Sequence, residues 1–259
     1  MSKVMENKKT ILITGGASGL GKVIAQRLAR GNHTIYCTSR KDEFSAAENI
    51  HFLKMDITSD ADVKAVVNEI MIKEKRIDVV INNAGITLSG PTLEFSPDDF
   101  KKILDTNVIG SFRLIKEIFS FPPKPQLVIN ITSLNGSLSF PHFGLYSASK
   151  FAAEALGLAL RYELSPTTQV VNVAPGALLA ESSKKMSHKS AREKIKLLNW
   201  LMPLTSQEDV AKKIKSLIHA RSVPAKVLIG RDAKIINMMQ KFLPFSVFDR
   251  IVFYIWRKK

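Results

Sequence analysis

The sequence predicts an α/β fold in which a doubly wound parallel β-sheet of about seven strands carries helices on both faces. Short apolar runs rich in β-branched residues alternate with longer segments of helical periodicity. Most of these runs are almost continuously apolar, as strands covered on two faces are. Segments of that length join parallel strands by right-handed crossovers. The strand candidates are Thr10–Thr14, His33–Ser39, Ile50–Ile57, Ile77–Asn82, Gln126–Thr132, Gln169–Val173 and Lys226–Ile229, and the helix candidates are Leu20–Arg30, Asp60–Glu74, Pro97–Phe119, Tyr146–Leu164 and Gln207–Ala220.

The composition indicates one domain over residues 1–259. Hydrophobic residues make up 45% and charged residues 24%, which is ordinary for a folded protein, and the length suits one large α/β domain. No repeat and no Pro/Gly-rich linker divides the chain. Two segments lie outside the alternation: residues 177–203, interpreted as a substrate loop, and the apolar and basic tail 231–259.

The net charge of +15 is uneven, because residues 181–259 contain 18 Lys/Arg against 6 Asp/Glu, or +12. Such an excess attracts anionic partners or serves solubility alone. No helix-turn-helix, zinc-ligand or RNA-binding pattern accompanies it, so no nucleic-acid partner is expected. The single cysteine, Cys37, is interpreted as a buried small hydrophobe, and without a Cys/His cluster no metal site is expected. With no signal-like N-terminal segment and no spanning apolar run, we expect a cytoplasmic protein.

The turn after the first strand, TGGASGLG, leads at once into a helix. In that context Gly15 suits the tight turn, Gly19 a close backbone approach to a pyrophosphate, and Gly21 the contact of helix with sheet. The motif predicts a Rossmann-like dinucleotide site that includes Ser18 and Leu20. A P-loop is excluded because no Gly-Lys-Ser/Thr ending follows.

The end of the second strand predicts NADP(H) rather than NAD(H). A carboxylate at this position would bind the ribose hydroxyls of NAD, but the strand ends without one. The guanidinium of Arg40 and the hydroxyl of Ser39 instead suit a 2′-phosphate. In the alternative interpretation, Arg40 and Lys41 begin a solvated loop, and the nearby acids Asp42 and Glu43 weaken the prediction.

Two further residues form a candidate acid–base pair. Tyr146 and Lys150 open a helix at positions i and i+4, so their side chains project side by side. A neighbouring ammonium stabilises a phenolate, which lets a tyrosine exchange a proton with a substrate oxygen. Taken alone, this spacing is common on ordinary helix faces. Ser133, at the end of the fifth strand, adds a hydroxyl at the same sheet edge.

In order along the chain, these motifs resemble the short-chain dehydrogenase/reductase family, in its single-domain branch of about 250 residues and its steroid- and retinoid-type members. Ser133 precedes Tyr146 by the 13 residues that this family uses. The resemblance implies that Ser133 holds the substrate oxygen and that Asn107 holds a water linking Lys150 to solvent. A simpler interpretation places Asn107 on the surface.

The resemblance also implies further cofactor contacts. Asp56 would hold the adenine amine with Ile57 alongside, and Pro175-Gly176 would lie beside the nicotinamide. Asn82-Asn83-Ala84-Gly85 would support the sheet centre and the ribose side, with Asn83, Ala84 and Gly85 near the cofactor. One departure is visible, since Ala180 stands where the family often has a threonine, and Ser182 or Ser183 would have to substitute.

The family's activity would be hydride transfer between NADP(H) and a ketone, aldehyde or alcohol. Residues 136–145 and 177–203 are rich in apolar side chains, which favours a hydrophobic steroid-, retinoid- or lipid-like substrate unless these residues only pack the loops. The alternative function is a cofactor-binding redox sensor without turnover.

The C-terminal segment, residues 242–259, is aromatic and ends in Arg257-Lys258-Lys259. It is too short to span a bilayer. A subunit interface or a lid is the favoured interpretation, because family members are commonly homodimers or homotetramers. A peripheral membrane contact is the alternative.

Overall fold

The structure is a computed structural model that describes residues 7–40, 48–178 and 204–257. Seven parallel strands form one sheet in the order β3-β2-β1-β4-β5-β6-β7, which confirms the predicted doubly wound fold. The strands are β1 Thr10–Thr14, β2 Thr34–Ser39, β3 Ile50–Lys54, β4 Val79–Asn82, β5 Leu127–Ile131, β6 Gln169–Pro175 and β7 Lys226–Ile229.

The helices cover both faces of this sheet. They are α1 Gly19–Leu28, α2 Asp60–Glu74, α3 Pro97–Leu104, α4 Gly110–Ile118, α5 Gly144–Glu163, α6 Gln207–Ile218, α7 Arg231–Phe242 and α8 Phe245–Arg257. A π-helical turn over Asp105–Ile109 joins α3 to α4. The predicted helices agree with these bounds to within two residues, apart from the π turn. The sequence did not predict α7 and α8, which occupy the tail.

The hydrophobic core has two layers, one on each face of the sheet. Successive side chains of a strand point to opposite faces, so Ile11 and Ile13 pack with α1 and α6, whereas Leu12 packs with α2 and α4. All three side chains are fully buried. The nearly continuous apolar runs seen in the sequence follow from this double covering.

The order of the strands reverses at β1, because the chain passes from β3 back across β1 to β4. In open parallel sheets, ligands bind outside the carboxyl ends of the strands at such a switch point. The glycine turn follows β1, Asn83 follows β4, and Ser133 lies two residues beyond β5. The fold therefore brings these sequence motifs to one edge of the sheet.

Candidate active site

The glycine turn between β1 and α1 has a backbone shape that requires glycine. Gly15 and Gly19 have φ angles of 65° and 51°, in the left-handed region that favours glycine. A Cβ on Gly21 would lie 2.3 Å from the carbonyl oxygen of Gly15, so only glycine lets α1 approach the turn. A Cβ on Gly19 would meet no atom within 4 Å, which leaves open space beside the start of α1. Leu20, the second residue of α1, is half-buried.

Thr14 fastens this turn to the end of β4, a role that the sequence analysis missed. Its Oγ1 accepts hydrogen bonds from the backbone N–H groups of Asn83 (3.0 Å) and Ala84 (2.9 Å). The side chain of Asn83 donates back to the Thr14 carbonyl at 2.9 Å. The side-chain amide of Asn83 therefore stabilises the glycine turn. Gly85, two residues further on, is exposed at the edge of the sheet.

The residues expected to choose between NADP and NAD lie beside the turn. The N–H of Gly16 donates to the Thr38 carbonyl at 3.0 Å, which holds the end of β2 against the glycine turn. Arg40 follows β2 and is exposed, and Ser39 is the last, half-buried residue of the strand. Ser18 is exposed at the N-cap of α1 and makes no capping hydrogen bond with its side chain. Lys41, Asp42 and Glu43 lie outside the described residues.

The segment after β3 forms a tight turn, and β3 ends at Lys54 instead of reaching Ile57 as predicted. Oδ1 of Asp56 accepts from the backbone N–H and the hydroxyl of Thr58, at 2.9 and 2.8 Å. These bonds turn the chain into α2 and end the strand. Ile57 is buried, and a Cβ on Gly110 would lie 2.9 Å from it, so Asp56 is held at the carboxyl edge of the sheet.

Tyr146 and Lys150 lie side by side near the start of α5, as their spacing predicts. The Lys150 ammonium is 5.8 Å from the centroid of the Tyr146 ring and donates to the Ile131 carbonyl at 3.0 Å. Lys150 is buried, whereas Tyr146 is half-buried with its ring edge-on to Phe143. Tyr146 is thus partly exposed, and the ammonium of Lys150 is anchored to the end of β5.

Ser133 caps a short 3₁₀ turn that lies against α5. Its Oγ accepts from the Asn135 N–H at 3.1 Å, and the turn covers Leu134–Gly136. A Cβ on Gly136 would lie 2.9 Å from the Lys150 carbonyl oxygen, so the turn packs directly on the helix that carries the tyrosine. Ser133, Tyr146 and Lys150 therefore belong to one packed unit.

Asn107 lies in the π turn between α3 and α4 and is only 5% exposed, so the interpretation that it is a surface residue is wrong. Its side chain accepts from the Ile86 N–H at 2.8 Å and donates to the Ile86 carbonyl at 2.9 Å. It also donates to Ser149 Oγ at 2.9 Å, and Ser149 donates to the Tyr146 carbonyl at 2.7 Å. The Asn107 amide thus ties the segment after β4 to the helix that carries Tyr146, a link through Ser149 that the sequence analysis missed.

A cavity of about 20 Å³ lies between α4, α5 and the sheet, beside Asn82, Asn107 and Lys150. Oδ1 of Asn82 is buried there and has no hydrogen-bond partner among the described residues. Its Nδ2 donates to Asn130, which donates in turn to Asn172, so three amides cross three neighbouring strands. The cavity has the size and the polar lining that a single bound water requires.

A buried aspartate lies where the two ends of the segment interpreted from the sequence as a substrate loop come together. Asp232, in the first turn of α7, is 1% exposed and accepts from the Ala177 N–H at 2.8 Å. The Thr205 N–H donates to the Ala177 carbonyl at 2.8 Å, so residues 177 and 205 meet at a narrow neck. Pro175 ends β6, and the Gly176 N–H bonds to the end of β7. Ala180, Ser182 and Ser183 lie outside the described residues.

The C-terminal helices cover the segment that follows Ser133. Leu134 and Leu138 form a hydrophobic cluster with Ala233 of α7 and Phe248 of α8, with Phe140 packed at its margin. The inner face of the C-terminal helices therefore packs against the segment that follows Ser133.

Comparison with known proteins identifies the family. A family model described as short chain dehydrogenase matches residues 9–191, which is more than half of the sequence. The chain belongs to the short-chain dehydrogenase family. It is 36% identical over 169 residues to a 3-ketodihydrosphingosine reductase of Bacteroides thetaiotaomicron; the match covers 64% of this chain but only 62% of that protein.

Two further relatives match over a larger share of this short-chain dehydrogenase. A 3-amino-tetrahydro-pyrrolizinone reductase of Xenorhabdus hominickii is 29% identical, and the match covers 93% of this chain and 94% of that protein. The solved structure of ElxO with NADP bound is 30% identical with a TM-score of 0.75, covering 85% of this chain and 96% of that one. The family and the fold thus agree with the order of motifs in the sequence.

Proposed function

We propose that this short-chain dehydrogenase interconverts a ketone or aldehyde and an alcohol, with NADP(H) as hydride carrier and Tyr146 as acid and base. The observation that carries the proposal is the packed unit of Ser133, Tyr146 and Lys150 at the carboxyl edge of the sheet, next to the glycine turn. Family membership supports it, since the relatives compared above are named as reductases.

The residues around the glycine turn fit a dinucleotide. The open space at Gly19 and the exposed start of α1 can receive a pyrophosphate, whose charge the helix N-terminus favours. Asp56 and Ile57 would flank the adenine, Asn83, Ala84 and Gly85 would support the ribose side, and Pro175-Gly176 would lie at the nicotinamide. When bound, the cofactor supplies or accepts the hydride.

The chain's own groups then handle the substrate oxygen. In the reducing direction Ser133 and Tyr146 hydrogen-bond the carbonyl oxygen, and the Tyr146 hydroxyl donates the proton. Lys150 lies behind the ring, and the ammonium favours the phenolate that remains. Because Ile86 and Ser149 occupy the Asn107 side chain, the water of the relay would lie in the cavity beside Asn107 and Lys150, which would allow the tyrosine to be reprotonated.

The test of this mechanism is Tyr146→Phe. General acid–base catalysis contributes about 10²- to 10⁴-fold, so kcat should fall by at least that factor while NADPH binding is kept. Tyr162→Phe is the matched control, because Tyr162 is an exposed tyrosine on the same helix. Activity of Tyr146→Phe within about tenfold of the wild type would remove Tyr146 from the mechanism. NADPH binding without turnover of any carbonyl or alcohol by the wild type would favour the redox sensor.

Preference for NADP over NAD is proposed from Arg40, with Ser39 and Ser18 as further contacts to the 2′-phosphate. The NADP found in the ElxO structure supports the proposal. Arg40→Asp should shift the ratio of kcat/KM for NADPH and NADH toward NADH by about tenfold or more, because it replaces a charge-assisted contact by repulsion. Arg30→Asp is the control, since Arg30 is exposed beyond the far end of α1. An unchanged ratio in Arg40→Asp would exclude Arg40 from phosphate binding.

A hydrophobic carbonyl or alcohol is the proposed substrate. The segment after Ser133 is apolar, since Leu134, Leu138 and Phe140 pack under α7 and α8. A steroid-, retinoid- or lipid-like compound suits this segment, and the reductase named for 3-ketodihydrosphingosine supports a lipid ketone. A panel of ketones graded in size should show kcat/KM rising with apolar bulk. A preference for small polar ketones would contradict the substrate class.

A homodimer, or a tetramer built from it, is proposed from the outer face of α5. Phe151, Leu158 and Tyr162 are spaced seven and four residues apart, so they form one stripe on the helix. They are 40–71% exposed, which is unusual for large apolar side chains on one face. A second copy packed here would brace the helix that carries Tyr146. Sedimentation of Tyr162→Ser and Leu158→Ser variants should show a lighter particle than the wild type.

A further inference from the structure

The pair of C-terminal helices has an outer face that exposes several large apolar side chains. Phe242, Phe245, Phe253 and Tyr254 are 60–82% exposed, and Met238 and Val247 add further exposed apolar surface. The inner face is different, since Phe248 is buried and Val252 packs against the same cluster. We call the six exposed side chains the outer patch. A concentration of large apolar groups like this one marks an interaction site more often than chance exposure.

The outer patch lies within a strongly basic segment. Residues 231–259 contain seven Lys/Arg and only two Asp, and one of these acids, Asp232, is buried at the neck of the substrate loop. The basic residues are Arg231, Lys234, Lys241, Arg250, Arg257, Lys258 and Lys259, of which the last two lie outside the described residues. Aromatic side chains interleaved with cations are the composition that binds anionic lipid at a membrane interface.

A second copy of the chain fits this face less well. In a symmetric dimer the same surface meets itself, so the basic residues around the patch would face one another. Like charges brought together in this way weaken association. The stripe on α5 offers a second copy an apolar surface elsewhere. These helices also do not have the properties of a membrane-spanning segment. The helix α8 has 13 residues, and none of the described helices is both long and apolar enough to cross a bilayer.

We propose that the outer patch docks this protein on the surface of an anionic membrane, with α7 and α8 lying in the plane of the interface. The aromatic rings would enter the headgroup region and the cations would pair with lipid phosphates. The inner faces of the same helices cover Leu134 and Leu138, next to Ser133. If the proposed function holds, a lipophilic carbonyl can then pass from the bilayer to the site beneath α7 and α8 without crossing water.

The test is flotation of the full-length protein with lipid vesicles. Wild-type protein should float with vesicles of phosphatidylcholine and phosphatidylglycerol, bind pure phosphatidylcholine weakly, and be released by high salt. Combining Phe242→Ser, Phe245→Ser and Phe253→Ser should lower partitioning onto the vesicles about tenfold or more, since each substitution removes apolar area that the membrane would bury. Lys241→Glu with Arg250→Glu should lower it about tenfold or more through charge alone, without changing any apolar contact.

The matched control removes an equal number of exposed apolar groups from another face. Phe151→Ser, Leu158→Ser and Tyr162→Ser, all on the α5 stripe, should leave vesicle binding unchanged while the oligomer is weakened. Wild-type protein that stays unbound with both vesicle types would overturn the proposal, and so would equal loss of binding in the control. Circular dichroism checks the folding of each variant. If the Phe variants unfold, vesicle binding by the variant Lys241→Glu with Arg250→Glu tests the proposal instead.

Turnover separates this proposal from the proposed function. NADPH oxidation with a water-soluble ketone does not depend on lipid, so it should be the same in wild type and in the charge variant. Flotation without any turnover would contradict only the proposed oxidoreductase function. Turnover without flotation would contradict only the membrane proposal.

Discussion

Replacing Asp232 by alanine should destabilise the protein by an amount that the structure allows us to estimate. The carboxylate accepts from the Ala177 N–H at 2.8 Å in a partly buried hydrogen bond, and a hydrogen bond to a charged group contributes about 1.5–3 kcal/mol. The hydroxyl of Thr205 approaches the carboxylate at 3.4 Å but lies equally near the Ile229 carbonyl, so its loss is small. The total loss in the free energy of unfolding is about 2–3 kcal/mol, or about 4–12 °C in Tm.

The assay is thermal unfolding of Asp232→Ala, Asp232→Asn and Asp249→Ala. Asparagine keeps the size of the side chain and an acceptor for Ala177, so it should lose less than half as much. Asp249 is exposed on α8 and serves as the control. Opening the neck should also speed proteolysis between residues 177 and 205. A Tm for Asp232→Ala within about 1 °C of the Asp249→Ala value would refute the view that this carboxylate holds the loop.

Two further predictions concern buried side chains. Asn107→Asp replaces the donating amide by an oxygen that faces the Ile86 carbonyl and Ser149. The free energy of unfolding measured in urea should therefore fall by about 2–4 kcal/mol, and kcat should fall as well. Stability equal to that of the wild type would contradict the hydrogen-bond assignment. Burial raises the pKa of the Cys37 thiol to about 12, so it should not react with a disulfide reagent at pH 8 until the protein unfolds, and rapid labelling of the native protein would contradict its burial.

The fold could be predicted from the sequence because its signals are local. A run such as Ile11–Ile13, apolar at every position, indicates a strand that is covered on both faces of the sheet. A serine just before a helix, such as Ser96 before α3, is a common N-cap residue and can be recognised in the sequence. The helices α7 and α8 of the C-terminal tail could not be predicted in this way. Pro244 separates α7 from α8, and aromatic residues on both the inner and the outer faces of α8 obscure the helical pattern.

The sequence was sufficient to predict that Tyr146 and Lys150 lie side by side, but not which distant residues hold the candidate site together. Tyr146 and Lys150 are four residues apart, and local geometry places them together. Thr14 bonds residues 69 and 70 positions away, and Asp232 bonds Ala177 across 55 positions. A single sequence holds no sign of such pairs, because each depends on how distant strands come to lie side by side. The same limit explains why the burial of Asn107 was left open.

The narrow neck at Ala177 and Thr205 also bears on how such a protein can acquire new specificities. The Thr205–Ala177 bond and the buried carboxylate fix the chain to the scaffold on both sides of the intervening segment, so its length can change without moving these two points. Doubling the length of a closed loop costs only about 0.6 kcal/mol in closure entropy. Grafting the corresponding segment of another reductase onto this neck should therefore leave the sheet intact while changing which molecules are accepted.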